Sequence, residues 1–166
     1  MLKLIILKGI PASGKSSWAK EFIEGKENWV IVSRDSIRES TGEYWVPSRE
    51  NYITEIEDFS IKSALRNKLN VIVDATNLNE SRNKRFDTII QELKGENIEV
   101  TIEYKEFPVN IELSIERDKN RELHGERSVG KKCILDFARR YFPKEYAEYY
   151  TDKRLKTPFY PCNNEK

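Results

Sequence analysis

The residues best able to do chemistry stand in one early run, Gly9-Ile10-Pro11-Ala12-Ser13-Gly14-Lys15-Ser16. A glycine, four residues, a second glycine, then lysine and a hydroxyl residue is a pattern that cradles phosphate. Gly9 and Gly14 permit backbone geometry and close approach that a Cβ would obstruct. The amides of Ala12, Ser13 and the first helical turn with Ser17 then converge where the helix dipole favours an anion. Lys15 has the reach to meet β- and γ-phosphates, and the Ser16 hydroxyl can ligate Mg²⁺ directly. The chemistry this run implies is the binding of a nucleoside triphosphate.

A second cluster follows about twenty residues on, Arg34-Asp35-Ser36-Ile37-Arg38. Phosphoryl transfer to a hydroxyl needs an acceptor for the hydroxyl proton. Asp35 is the candidate for that general base, with two other readings open: a cap for a helix starting near Ser36, and a water-mediated hold on Mg²⁺. Arg38, one helical turn later, reads as a phosphate-binding guanidinium or as a solvated charge. A third cluster, Asp74-Ala75-Thr76-Asn77, again begins with an acid. Asp74 suits orienting an arginine, the incoming hydroxyl or the metal; Thr76 and Asn77 suit hydrogen bonds to a substrate or a cap for the next helix.

These clusters need a scaffold that brings them together. Each follows a short apolar run: 2–7, 29–33 and 71–73 read as buried strands. A fourth strand is expected over 98–107 from the alternation of Ile98, Val100, Ile102 and Tyr104. Helices are expected after residue 16, from about 48 to 69 (on Tyr52, Ile56, Phe59 and Ser63), over 80–94, from 109, and over 131–141, where Pro143 is expected to stop the last. Strands alternating with helices predict a mainly parallel sheet of four or five strands between helices. Ligands bind such sheets at the carboxyl ends of the strands, which is where all three clusters fall. Arg117 and Arg121 lie four apart on one helical face, in a segment of about 117–131 whose His124, Gly125, Arg127 and Gly130 read as a lid. Arg82, Lys84 and Arg85 form a weak basic patch. Tyr44-Trp45 sits in an irregular loop and suits stacking on a base or closing a small core.

The chain of 166 residues carries 29 basic and 28 acidic residues, a net charge of +1. That balance excludes a uniformly basic protein coating a long duplex but leaves room for a local basic groove. One domain over 1–166 is the expectation from length. Only Cys133 and Cys162 are present, without metal-ligand spacing, so free thiols in a reducing compartment are expected. No signal peptide or membrane-spanning run is evident, and a cytoplasmic location follows as an expectation. The aromatic tail of about 143–166 reads as a cover for the sheet edge or as a surface for homo-oligomer formation.

The run Gly-Ile-Pro-Ala-Ser-Gly-Lys-Ser-Ser-Trp-Ala, then residues 33–38, 74–79 and 116–121, in this order and spacing, resembles the kinase domain of phage-type polynucleotide 5′-kinase/3′-phosphatases over roughly 1–142. The resemblance implies a P-loop kinase fold with a helical lid. It implies phosphorylation of 5′-OH ends of DNA or RNA with ATP or GTP as donor, Mg²⁺ as cofactor and a nucleic-acid ligase as a working partner. Under it Lys15 and Ser16 hold the donor phosphates and metal, Asp35 activates the 5′-OH, and Arg38, with Arg34 nearby, binds the acceptor phosphate. Asp74 organises the acceptor side, and Arg121, with Arg117 beside it, acts as the lid arginine. No Asp-x-Asp motif occurs, so 3′-phosphatase activity is expected to be absent. A P-loop small-molecule kinase, acting on a nucleotide sugar, nucleoside or antibiotic, is the competing reading. A nucleotide-binding switch is weaker, because no Asn-Lys-x-Asp motif is present.

Overall fold

Four runs rich in Leu, Ile and Val form one parallel sheet. The structure, a computed structural model, describes residues 1–151. Its strands are β1 (Leu2–Lys8), β2 (Trp29–Ser33), β3 (Asn70–Asp74) and β4 (Val100–Glu106), in the spatial order β2-β3-β1-β4. The two central strands are buried on both faces, as parallel strands covered by helices must be: Leu4 to Leu7 and all of β3 are inaccessible or nearly so. The helices are α1 (Lys15–Ile23), α2 (Arg34–Ser40), α3 (Glu50–Arg66), α4 (Glu80–Gly95), α5 (Ile111–Leu123), α6 (Lys131–Tyr141) and α7 (Pro143–Thr151). A single 3₁₀ turn, Pro47–Arg49, leads into α3.

The described chain groups into two compact units. The first comprises Met1–Lys8 and Lys15–Glu106 and holds the whole sheet. Its core joins Leu4, Ile6, Val32, Val71 and Val73 of the strands to Ile61 and Leu65 of α3 and Phe86, Ile89 and Leu93 of α4. The second comprises Gly9–Gly14 and the chain from Phe107 on; its buried residues include Ile10, Ile111, Cys133, Ile134 and Ala138.

Three sequence expectations change. The buried stripe of α3 is Ile53, Glu57, Ile61 and Leu65, not the expected Tyr52, Ile56, Phe59 and Ser63. Tyr52 and Phe59 are 53% and 63% exposed. Glu57 sits fully buried in the stripe because Arg34 (2.9 Å) and Arg85 (2.6 Å) neutralise it from either side. Its charge hides the true periodicity from a hydrophobic reading. The stop expected at Pro143 holds for α6, which ends at Tyr141, but the chain does not leave helical structure there: Pro143 opens α7, since proline is tolerated in a first turn where its missing N–H has no partner to lose. Tyr146 and Tyr150 of that helix stack with centroids 5.7 Å apart. The rest of the aromatic tail and Cys162 lie outside the described residues. The helical part of the expected lid is the end of α5, which runs to Leu123; only 124–130 is loop.

Candidate active site

Asp74 ends β3, and the strand register pairs it with Ser33, the last residue of β2. The same register aligns Ile6 of β1 with Val73. Three strands therefore release their chains at one carboxyl edge. Ser16, in the first turn of α1, returns to this edge: its Oγ donates a hydrogen bond to Asp74 Oδ2 at 2.7 Å. Lys15 beside it is buried. This hydroxyl and carboxylate are hard oxygen donors at a helix N-terminus and fit Mg²⁺, which takes few protein ligands and fills the rest with phosphate and water. Asp74 thus stands beside Ser16, in keeping with the metal role that its position leaves open and not with the acceptor-side role that the resemblance implies.

Two residues beyond Ser33 comes Asp35. The cap of α2 is Ser33, whose Oγ accepts from the Ser36 amide, so Asp35 is not the cap; it sits inside the first turn with its carboxylate partly exposed. Asp35 Oδ1 accepts from Arg38 Nη1 at 3.0 Å and from the Tyr44 hydroxyl at 2.6 Å. Arg38 in turn is gripped by Glu50, Nε to Oε1 and Nη2 to Oε2, both at 2.9 Å. The rings of Tyr44 and Trp45 lie 5.8 and 5.5 Å from its guanidinium carbon, within cation–π range. Burial works against the charge on Arg38, but the Glu50 hydrogen bonds and the Tyr44, Glu50 and Asp35 charges outweigh it and raise its pKa. For Glu50 burial pushes the carboxyl up, while bonds to Arg38 and Arg34 overcome it and hold the pKa at about 2.

Arg34 departs from its expected role. It is buried, and its guanidinium donates to Glu57 (2.9 Å), Glu50 (2.8 Å) and Thr54 (2.9 Å), tying α2 to α3. It braces the site instead of facing a substrate. Asn77 is similarly committed. Its Nδ2 donates to the Leu7 carbonyl at 2.7 Å, its φ is +48°, and its own carbonyl accepts from Asn83. The cap of α4 is neither Thr76 nor Asn77 but Asn79, which accepts from the Arg82 amide. Thr76 lies half-buried in the loop between. The basic patch resolves too: Arg85 pairs with Glu57 and Asp58.

Within the second unit, Gly9–Gly14 meets α5. A Cβ on Gly9 would come 2.7 Å from Ser13 Oγ and 3.1 Å from Phe107 Cβ, so a side chain there would have to displace both. Gly14 has φ +95°, and a Cβ on it would lie 3.4 Å from Arg117 Nη1. Arg117, expected as the accessory, is thus the arginine against the loop. The α5–α6 loop is pinned by buried Asp118, which accepts from Ser128 Oγ, Val129 N and Gly130 N, each at 2.9 Å. His124 is exposed and bonds the Asn120 carbonyl.

Sequence reading missed Tyr44, Glu50 and Glu57 as members of this network. The signal for the acids was present: Glu50, Ile53, Glu57 and Ile61 follow helical spacing on one face.

A family model described as an AAA domain matches residues 4–144. The chain belongs to the AAA domain family. Its parallel sheet flanked by helices is the fold of a P-loop kinase domain. Among curated proteins it is similar to the L-seryl-tRNA(Sec) kinase of Methanococcus maripaludis, 33% identical over 127 residues, covering 74% of this chain and 48% of the relative. Two solved structures are also similar. One, titled as the Pnkp1/Rnl/Hen1 RNA repair complex, matches with a TM-score of 0.69 and 29% identity over 99% of this chain and 49% of that one. The other, of the Pnkp1/Rnl/Hen1 complex, matches with a TM-score of 0.60 and 34% identity over 70% and 39%. The chain spans about half the length of the curated relative it matches.

Proposed function

We propose that this AAA domain is a polynucleotide 5′-hydroxyl kinase that transfers the γ-phosphate of ATP or GTP to the 5′-OH end of DNA or RNA. The observation that carries the reading is Arg38 bound to Asp35 at 3.0 Å on the first turns of α2. A kinase acting on a strand end must take a proton from the hydroxyl and hold the adjoining phosphodiester, and this pair offers a carboxylate and a guanidinium one helical turn apart. Glu50 and Asp35 occupy three of the five N–H donors of Arg38, leaving capacity for a phosphate oxygen. The similarity to a structure titled as an RNA repair complex points the same way.

On the donor side, Lys15 and the loop amides bind the β- and γ-phosphates, and Arg117, with Arg121 one turn further along α5, adds positive charge for the transferring group. Ser16 and Asp74 would hold Mg²⁺, which when bound neutralises the charge shared by the β- and γ-phosphates. The acceptor oxygen attacks the γ-phosphorus, the bond to the β,γ-bridging oxygen breaks, and the hydroxyl proton passes to Asp35. The product is a 5′-phosphomonoester, the form a nucleic-acid ligase requires, so a ligase partner and a cytoplasmic setting belong to this proposal. Among the described residues no helix is long and apolar enough to cross a membrane.

The test is incubation with γ-labelled ATP, Mg²⁺ and a 5′-OH oligonucleotide, beside nucleosides, sugars and seryl-tRNA. Label on the oligonucleotide and not on free nucleoside is the expected result. The 33% identity to an L-seryl-tRNA(Sec) kinase favours a second reading, phosphorylation of a seryl hydroxyl carried on tRNA. Label confined to seryl-tRNA would establish that reading, and label confined to a small molecule would reject both.

A further inference from the structure

The loop between α2 and the 3₁₀ turn brings a residue onto Asp35 that neither the phosphate-loop motif nor the α2 cluster contains. Tyr44 donates its phenolic proton to Asp35 Oδ1 at 2.6 Å, short for a hydrogen bond between neutral groups and ordinary for one to a carboxylate. Arg38 Nη1 donates to the same oxygen at 3.0 Å. An ionised carboxylate oxygen has two lone-pair sites, and these two donors match them. Two fixed donors on one oxygen set the plane of the carboxylate and its rotation about χ2, a torsion that is otherwise broad. The donors are themselves held. Glu50 grips Arg38 through two bonds, and the Tyr44 and Trp45 rings lie against the Arg38 guanidinium. Thr41 supports the loop from its start, its Oγ1 accepting from Arg49 and donating to the Arg38 carbonyl at 2.7 Å. A tyrosine used only for packing would not need its hydroxyl aimed at Asp35.

We infer that Tyr44 is a positioning residue for the phosphoryl-transfer step: its hydroxyl, together with Arg38, fixes Asp35 Oδ1 and with it the plane of the carboxylate that receives the acceptor proton. This rests on the reading of Asp35 as the general base. In the step, the acceptor oxygen forms its bond to the γ-phosphorus as the bond to the bridging oxygen breaks; the acceptor proton goes to the Asp35 carboxylate, and the nucleoside diphosphate leaves with the electron pair. Tyr44 keeps its proton throughout. Its contribution is geometric, so it acts on turnover and not on the affinity for either substrate.

The experiment compares Tyr44→Phe and Asp35→Asn with the wild type, on whichever acceptor takes label, measuring kcat, acceptor KM, ATP binding and the thermal midpoint. Tyr44→Phe removes one oxygen and keeps the ring over Arg38. The expected result is a fall in kcat on the order of tenfold, with acceptor KM, ATP binding and the thermal midpoint close to wild type, and a larger fall for Asp35→Asn. Asp35→Asn crippled with Tyr44→Phe at wild-type turnover overturns the role of Tyr44 and leaves the base assignment standing. A raised acceptor KM at unchanged kcat makes Tyr44 a binding group and overturns the positioning role. A loss of kcat that tracks a lowered thermal midpoint makes it a structural group and does the same. Near-normal turnover of Asp35→Asn overturns the base assignment and the inference with it.

Discussion

Ser16 and Asp74 are 58 positions apart in sequence and 2.7 Å apart in space. A serine hydroxyl that bonds a buried carboxylate is fixed in direction, and that direction matters for a metal whose ligands are mostly not protein. Asp74→Asn keeps the size of the side chain and removes its charge. The expected outcome is a Mg²⁺ requirement for phosphoryl transfer raised on the order of 10- to 100-fold, with the melting curve little changed. Titration of activity against Mg²⁺ checks it; an unaltered requirement would return Asp74 to the acceptor side, where the resemblance sets it. Charge also decides the response to acid around Glu50. Its carboxyl is held at about 2 in the folded chain against 4.5 ordinarily, so it contributes stability in full above pH 4.5 and loses it as pH falls from there towards 2. Glu50→Gln should therefore flatten the acid limb of the stability profile in that window, as followed by circular dichroism; an unchanged limb would show that Glu50 is not gripped by Arg38 and Arg34.

At the scale of elements, α2, α3 and α4 are joined by charge as well as by the apolar core. Glu57 of α3, fully buried, meets Arg34 of α2 and Arg85 of α4, and Glu50, about two helical turns earlier, meets Arg34 and Arg38. Removing one partner of such a buried cluster leaves the others uncompensated. Glu57→Ala should cost ~3–5 kcal/mol in denaturant unfolding, and a loss below ~1 kcal/mol would mean the arginines find other partners or water. The same cluster explains what the sequence conceals. The strands, the phosphate loop and α6 are legible because apolar periodicity and glycine spacing are local signals. The inner face of α3 is not, because its stripe contains Glu57, an acid that becomes buriable only when two arginines from distant positions arrive. Asn77 and Arg34 were legible as polar residues near the edge. Their direction was not, because the Leu7 carbonyl and Glu57 that claim them are 70 and 23 positions away.

For the molecule as a whole, alternation of strands and helices dictates a parallel sheet, whereas the order β2-β3-β1-β4 follows from packing that no local signal encodes. That order makes β1 and β3 central, and their buried residues, with α3 and α4, form the core of the first unit. Two phenylalanines separate core from surface. Phe86→Ala, in the core, should cost ~3–5 kcal/mol, and Phe59→Ala, on exposed α3, should stay within ~0.5 kcal/mol. Comparable losses for both would contradict the face on which α3 packs.

The central claim is that one carboxyl edge of this sheet serves both a triphosphate and the hydroxyl that receives its terminal phosphate. Asp35→Asn tests it most directly. The account predicts that labelled phosphate transfer falls by ~10²–10⁴-fold while ATP binding, measured by calorimetry on the same preparation, is preserved. Transfer at near wild-type rate, or loss of ATP binding together with transfer, would contradict it.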